Sequence, residues 1–395
     1  MMIINTCRFM VQILMHMKVF FVFSLFLSSL LVFSCNQVKN AEDGSVIIRV
    51  DLENTEVISF GDIVDSVKYI QLDTSEEFLI SGIKKVAYDE NNIFILDAFS
   101  KLFVFSNTGE ARYVIDNIGH GPEEYLSISD FSLNKTENVL EILDLNSRNV
   151  FHYSSEDGSL IAIKPLPEKS FAYTLLPIEN NQYLSCLPLN VSNENHIGIN
   201  LLDSSYHKIQ SLIEYKGSYP VSLKDMSFIS EINDGCYGLF SEIEGAVYHL
   251  NDLNLSKKYS LSVKGKNTMI SLNDVDKLNL PPNTESEILE VAFYVETDKL
   301  ILFIVFVDSS HAKLVFYDKN IGEAKVLDHF VDTNHPVSNF LKSNNKNMLF
   351  SSFNSEAFID LEPKYLDAFD PALVDLIKNS NIDDNPILQI LYLKH

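Results

Sequence analysis

The sequence predicts an all-β chain folded as a six-bladed β-propeller of four-stranded antiparallel blades, closed by a short C-terminal helix and a last strand. Three observations predict it. Helical periodicity is almost absent before residue 360, and short runs rich in Val, Ile, Phe and Tyr recur instead, bounded by Asn, Asp, Gly and Ser. These runs come in groups of four. The groups repeat at roughly 45 residues, the spacing of one propeller blade.

Taken in order, the chain begins with a segment to be set apart from the fold. Residues 1–34 carry no acidic residue, contain Arg8 and Lys18, and run apolar from Val19 to Phe33. A basic region, an apolar stretch and a small residue before a cut form a secretory signal peptide. Met17-Lys18 followed by the apolar run is by itself a complete signal, so Met1 and Met17 are alternative starts. The apolar stretch is short for a membrane span of ~20 residues. Val32-Phe33-Ser34-Cys35 resembles the bacterial lipobox, which implies lipidation of Cys35, a tether over 35–44, and a cell-envelope protein facing an extracytoplasmic space, at the outer membrane.

The propeller is expected from 45 to 395. Residues 84–115 read as strand, Asp-Glu-Asn-Asn turn, strand, short turn, strand, Asn-Thr-Gly turn, strand. Residues 128–166 repeat the plan, with Ile95-Leu96-Asp97 matching Ile142-Leu143-Asp144 and Gly109 matching Gly158. Weaker copies follow at 171–213, 229–263 and 288–330, and 337–353 shows two strands of an incomplete sixth. A ring left open would expose strand edges. The runs 45–50, 67–72 and 385–393 are therefore expected to complete the closing blade together. Asp370-Pro371 starts a helix with Leu373, Leu376 and Ile377 on one face, expected to cap the ring. A second helix is expected around 271–280, ending at Pro281-Pro282.

Charge and cysteine bound the function. Without Arg8 and Lys18 the mature chain has 28 basic against 54 acidic residues, a formal charge of −26. Such a surface repels nucleic acid and anionic membrane. After the signal and Cys35, only Cys186 and Cys236 remain. Their spacing does not require a disulfide, and they read as small buried apolar residues.

One stretch looks like the material of an active site. Residues 118–125, Ile-Gly-His-Gly-Pro-Glu-Glu-Tyr, join the first blade to the second. As a corner, Gly-Pro makes the turn, Tyr125 packs between blades and Glu124 binds exposed backbone N–H groups. As chemistry, His120 with Glu123 or Glu124 would be an acid–base pair at the channel mouth. The corner role is the expectation, with His120 and Glu123 kept as site candidates.

The motif also carries a resemblance. Asp62 to Ser81, Phe94 to Glu110, Ile118 to Leu133 and Asp383 to Lys394 occur in the order seen in a six-bladed β-propeller lipoprotein family of Gram-negative bacteria, related to NHL-type propellers. Its most recognisable motif is similar to G-x-G-P-G-E-Y, matched by Gly119, Gly121, Pro122, Glu124 and Tyr125. Glu123 stands where that family has glycine, so the position does not demand positive φ. Asp65-Ser66-Val67 resembles an O-glycosylation acceptor of such bacteria, and equally reads as the start of a strand.

No metal-ligand spacing, serine elbow, phosphate loop or dinucleotide fingerprint occurs. His329 and His335 around Asp332 form the tightest histidine cluster and read as a solvated loop. Asp97, Asp144, Asp203, Asp252 and Asp318 are expected to recur at equivalent blade positions, as turn residues, where Asp bonds backbone two residues on. The expected function is a membrane-tethered, monomeric binding or scaffold module for a glycan, peptide or protein partner, without cofactor or metal and without a catalytic residue. The alternative is a propeller enzyme, a lyase or hydrolase acting on a saccharide or lactone through channel-facing His and carboxylates.

Overall fold

A computed structural model describes residues 41, 43–168, 173–187, 197–215, 228–241, 244–266, 290–307, 311–327, 334–337, 340–343, 345–354, 356 and 366–395. The signal segment with Cys35, the helix expected over 271–280, and His329 and Asp332 lie outside the described residues.

Strand β1 (Val46–Val50), a short helix α1 (Phe60–Ile63) and strand β2 (Val64–Gln71) precede the repeats. Blade one is β3 (Ile83–Tyr88), β4 (Asn92–Asp97), β5 (Leu102–Ser106) and β6 (Ala111–Ile115). Blade two is β7 (Asp130–Asn134), β8 (Val139–Asp144), β9 (Asn149–Ser154) and β10 (Leu160–Pro165). Blade three is β11 (Thr174–Ile178), β12 (Gln182–Leu187), β13 (Ile197–Leu202) and β14 (Lys208–Tyr215). Blade four is β15 (Ile229–Asn233), β16 (Cys236–Ser241), β17 (Ala246–Asn251) and β18 (Asn254–Val263). Blade five is β19 (Glu290–Glu296), β20 (Leu300–Phe306), β21 (Ala312–Asp318) and β22 (Glu323–Leu327). Strand β23 (Met348–Phe353), helix α2 (Pro371–Asn379) and strand β24 (Ile387–Leu393) complete the chain.

Each blade is an antiparallel meander, and its first strand is innermost. The burial pattern explains why the middle strands lack alternation in sequence. Every residue of β4, β5 and β8 is buried, because both faces of a blade are covered by neighbouring blades. Outer strands β6 and β10 are mostly exposed or half-buried. Apolar clusters fill the interfaces. Phe94, Leu96, Phe131, Ile142, Phe151 and Tyr153, for example, pack blade one on blade two.

Closure joins the two ends of the fold. β24 pairs antiparallel with β2 from Val64 opposite Leu393 to Gln71 opposite Ile387, and with β23 on its other side. The innermost strand of this sixth blade is reduced to one bridge, Leu341 to Phe350. The turn of blade one locks onto it: Asp73 N donates to Gly109 O at 2.9 Å. Gly109 has φ +96°, and a Cβ there would overlap the backbone oxygen of Gln71.

One expectation about the architecture is corrected: β1 does not enter the closing blade. It adds in parallel to the outer strand of blade four, Val46 opposite Tyr259 through Val50 opposite Val263. Its Ile48 and Val50 are buried with Val326 of blade five, so it wedges the seam between blades four and five. α2 is capped as expected, with Asp370 Oδ1 accepting from Ala372 N at 2.8 Å, and it packs on β2, the outermost strand of the closing blade, where Ser380 Oγ bonds Gln71 Oε1 at 2.8 Å.

Candidate functional site

The loop at 118–125 forms a compact corner. Gly119 N donates to Tyr125 O and Tyr125 N to Asn117 O, both at 3.0 Å. Tyr125 is fully buried, its ring edge-on to Phe151, and its hydroxyl donates to Ser100 O and Ile115 O at 3.1 Å. Burial pushes its phenol well above the usual range. Glu124 Oε2 accepts from Gly121 N at 2.7 Å, and a Cβ on Gly119 would overlap that carboxylate. Pro122, His120 and Glu123 are exposed, and no hydrogen bond or ion pair joins His120 to Glu123 or Glu124. The arrangement orders two blades and assembles no acid–base pair.

The recurring aspartates do form turns, but not at equivalent blade positions: they occupy two different corners. Asp97 and Asp144 lie between second and third strands, whereas Asp203, Asp252 and Asp318 lie between third and fourth. Asp97 Oδ1 takes Phe99 N and Lys101 N at 2.9 Å, and Asp203 and Asp318 make similar bonds. His335 stacks on Phe60 at 5.3 Å and bonds Tyr69 OH at 3.0 Å, an aromatic contact rather than a ligand set. Cys186 and Cys236 are half-buried, not fully buried, and no disulfide joins them. Asp65 and Ser66 are exposed at the start of β2. Among the described residues no group of three or more His, Cys, Asp or Glu is placed to hold a metal ion.

The charged groups that do converge were not singled out by sequence. On the channel wall, Lys85 of blade one is buried and bonds Asp130 Oδ1 and Phe131 O of blade two, both at 2.7 Å, with Lys342 of blade six 3.9 Å from the same carboxylate. At one end of the ring, the turns between first and second strands carry Lys135, Glu179, Asp234, Asp298 and Lys346 from blades two to six. Lys346 of blade six reaches Asp234 of blade four at 3.0 Å, passing over blade five, which places this pair across the mouth. Asn233 Nδ2 holds Asp298 at 3.0 Å. Below them Glu231 is half-buried, and burial pushes its carboxyl up, against the pull of Lys135 and Lys346 and with the push of Asp234 and Glu179.

Two blade seams are polar, and they follow one plan. In blade two, Glu141 is the third residue of β8 and stands opposite His152. In blade four, Gly238 is the third residue of β16 and stands opposite His249. At the seam of blades two and three, Glu141 Oε1 accepts from Tyr183 OH at 2.7 Å and Asn134 Nδ2 at 3.2 Å, while His152 Nε2 meets Tyr206 OH at 2.8 Å. Burial raises the Glu141 carboxyl, and burial with Lys164 lowers His152 to about 4. At the seam of blades four and five the carboxylate comes from the far side. Glu296 Oε1 bonds His249 Nε2 at 2.8 Å and Lys319 Nζ at 2.6 Å, and its Oε2 bonds Tyr294 OH. Burial would raise Glu296, but the His249 bond and the Lys319 charge hold it below the usual carboxylate range. The signal for both seams was in the sequence: Phe-His-Tyr-Ser at 151–154 and Tyr-His-Leu-Asn at 248–251 place a histidine at one station of the repeat.

Comparison with known proteins agrees with the architecture. A family model described as a domain of unknown function, DUF4934, matches residues 45–392. No curated protein matches the chain. Among solved structures, a Bacteroides fragilis protein described as exported aligns over 89% of this chain and 100% of its own, at 19% identity and a TM-score of 0.72. That likeness shows the fold. A member of the DUF4221 family from Bacteroides vulgatus covers 84% of this chain and 97% of its own at 8% identity, with a TM-score of 0.48. A virginiamycin B lyase from Staphylococcus aureus covers 82% and 99% at 10% identity, with a TM-score of 0.40.

Proposed function

The chain belongs to the DUF4934 family, and we propose that it serves as an extracytoplasmic binding module that takes a peptide bearing a basic group at the charged end of its channel. Export is supported by the signal-like residues 1–34, and a lipid tether at Cys35 by the lipobox-like Val32 to Cys35. The exported relative of the same fold is consistent with that placement.

One observation carries the ligand class. In the Lys346–Asp234 pair Lys346 is half-buried, while Asp234 lies almost wholly in solvent. Such a pair contributes at most about 1 kcal/mol. A ligand ammonium or guanidinium exchanges with Lys346 at little cost, and finds Glu179, Asp234, Glu231 and Asp298 contributed by three blades. Carboxylates outnumber lysines there, which favours a cation over an anion. No catalytic step is derived, because the His249 and Glu296 groups bond each other and Lys319.

The test is titration of the purified protein with a short lysine-containing peptide, an acidic peptide of equal length and a neutral oligosaccharide. The basic peptide is expected to bind, with affinity falling as salt rises. In a Glu231→Gln, Asp234→Asn variant, affinity is expected to drop about tenfold or more. Unchanged affinity in the variant would mean diffuse attraction to an acidic surface, and binding of the oligosaccharide alone would overturn the ligand class.

A further inference from the structure

Of the two polar seams, the one between blades four and five pairs its buried carboxylate with Lys319, whereas the seam between blades two and three is divided. One part is apolar, with Leu143, Val150, Leu166, Leu175 and Leu202. The other is lined by oxygen. Ser132 stands opposite Glu141 in the β7–β8 register, and Ser185 stands opposite Asn200 in the β12–β13 register. Alternation along the strands puts Ser132, Glu141 and His152 on the face of blade two that meets blade three. It likewise puts Tyr183, Ser185 and Asn200 on the face of blade three that meets blade two. The Tyr183–Glu141 and His152–Tyr206 bonds tie those two faces together.

The facing groups are deeply buried: Glu141 is 1% exposed, Ser185 0%, Asn200 3% and Ser132 5%. Glu141 Oε2, Ser132 Oγ, Ser185 Oγ and Asn200 Oδ1 have no hydrogen-bond partner. The asymmetry at Glu141 is specific, since both of its donors bond Oε1 and Oε2 has none. Leaving one buried polar atom unpaired costs about 1–3 kcal/mol, so several facing one seam demand an occupant. Neighbouring Asp130 is compensated by Lys85. Glu141 has no cation bonded to it, and a buried charge left uncompensated is strongly destabilising.

We propose that this seam is a binding site for one monovalent hard cation, sodium or potassium, coordinated by Glu141 Oε2 with the side-chain oxygens of Ser132, Ser185 and Asn200. The donors are all oxygen, the set that hard cations take and softer transition metals do not prefer. One carboxylate matches one positive charge. Divalent ions draw on more carboxylates than the single uncompensated one here.

Thermal melts of the purified protein in sodium chloride, potassium chloride and choline chloride at equal ionic strength test this. Sodium or potassium is expected to raise the midpoint by about 2 °C or more over choline. The increment is expected to vanish in Glu141→Gln, whose midpoint in choline is no lower than wild type, and to shrink in Ser185→Ala. Equal wild-type midpoints in the three salts would overturn the proposal and leave Glu141 satisfied by a proton or by water. An increment that survives in Glu141→Gln would place the ion elsewhere and overturn it too. If Glu141→Gln does not fold, the wild-type salt series with Ser185→Ala decides.

Discussion

Gly238 holds its place because of Glu296: a Cβ there would lie 2.6 Å from Glu296 Oε2 and overlap the hydroxyl of Tyr294. The second strand of blade four thus has no side chain at the point where blade five inserts its buried carboxylate. Gly238→Ala should lower stability by about 2–3 kcal/mol, since the added methyl must displace groups already bonded to each other. Urea unfolding with an unchanged slope and a lower midpoint is the expected result. An unaltered midpoint would mean that the seam repacks freely.

Lys319 and Glu296 should be strongly coupled. Lys319→Met leaves a fully buried carboxylate with His249 and Tyr294 as hydrogen-bond partners and without its lysine, and is expected to cost on the order of 3 kcal/mol. Adding Glu296→Gln removes the stranded charge, so the double variant should be more stable than Lys319→Met alone. A double-mutant cycle in urea reads this directly, and simple additivity would contradict it.

His152 and Glu141 should act in opposite directions with pH. His152 is lowered from 6.5 to about 4 in the folded protein. Its contribution is therefore complete above pH 6.5 and is lost as pH falls through about 4, on the order of 3 kcal/mol. In choline, with no cation bound, burial raises Glu141, so its contribution is complete below its ordinary value and is lost as pH rises through the raised one. Urea midpoints measured from pH 7 to 4 should fall more steeply for wild type than for His152→Gln. Equal slopes would show that His152 protonates without penalty.

The corner at 118–125 should tolerate loss of its exposed groups and not of its buried one. Tyr125→Phe removes a donor shared by two backbone carbonyls and should cost about 1–2 kcal/mol. His120→Ala with Glu123→Ala should leave the melting midpoint within a degree or so of wild type. Loss of peptide binding in that double variant would move the ligand site to this loop.

The repeat was legible because middle strands buried on both faces leave continuous apolar runs such as Ile93 to Leu96 and Leu102 to Phe105. β1 was assigned to the wrong blade because a five-residue apolar strand fits any open edge, and nothing in Val-Ile-Ile-Arg-Val names its partner. Asp65 to Gln71, by contrast, closes the ring with β24 as its position required. The polar seams were hidden for another reason. Glu141 meets Tyr183 and His249 meets Glu296 only once the register of two blades is fixed, and a one-residue slip would turn each to the opposite face. The acid–base reading of His120 drew on composition, whereas the structure gathers its charges on turns that look unremarkable one at a time.

Ring closure also sets an order of events. β2, near the start of the mature chain, finds its partner β24 only within the last residues, Val64 lying opposite Leu393. No earlier segment offers the sixth blade its third strand. A chain emerging N-terminus first therefore carries β2 without this partner until β24 follows. Bringing such distant segments together costs only slowly growing loop entropy, so the delay is one of availability rather than of energy. Blades one to five pair within themselves, so the seam that waits longest is the one that makes the ring a ring.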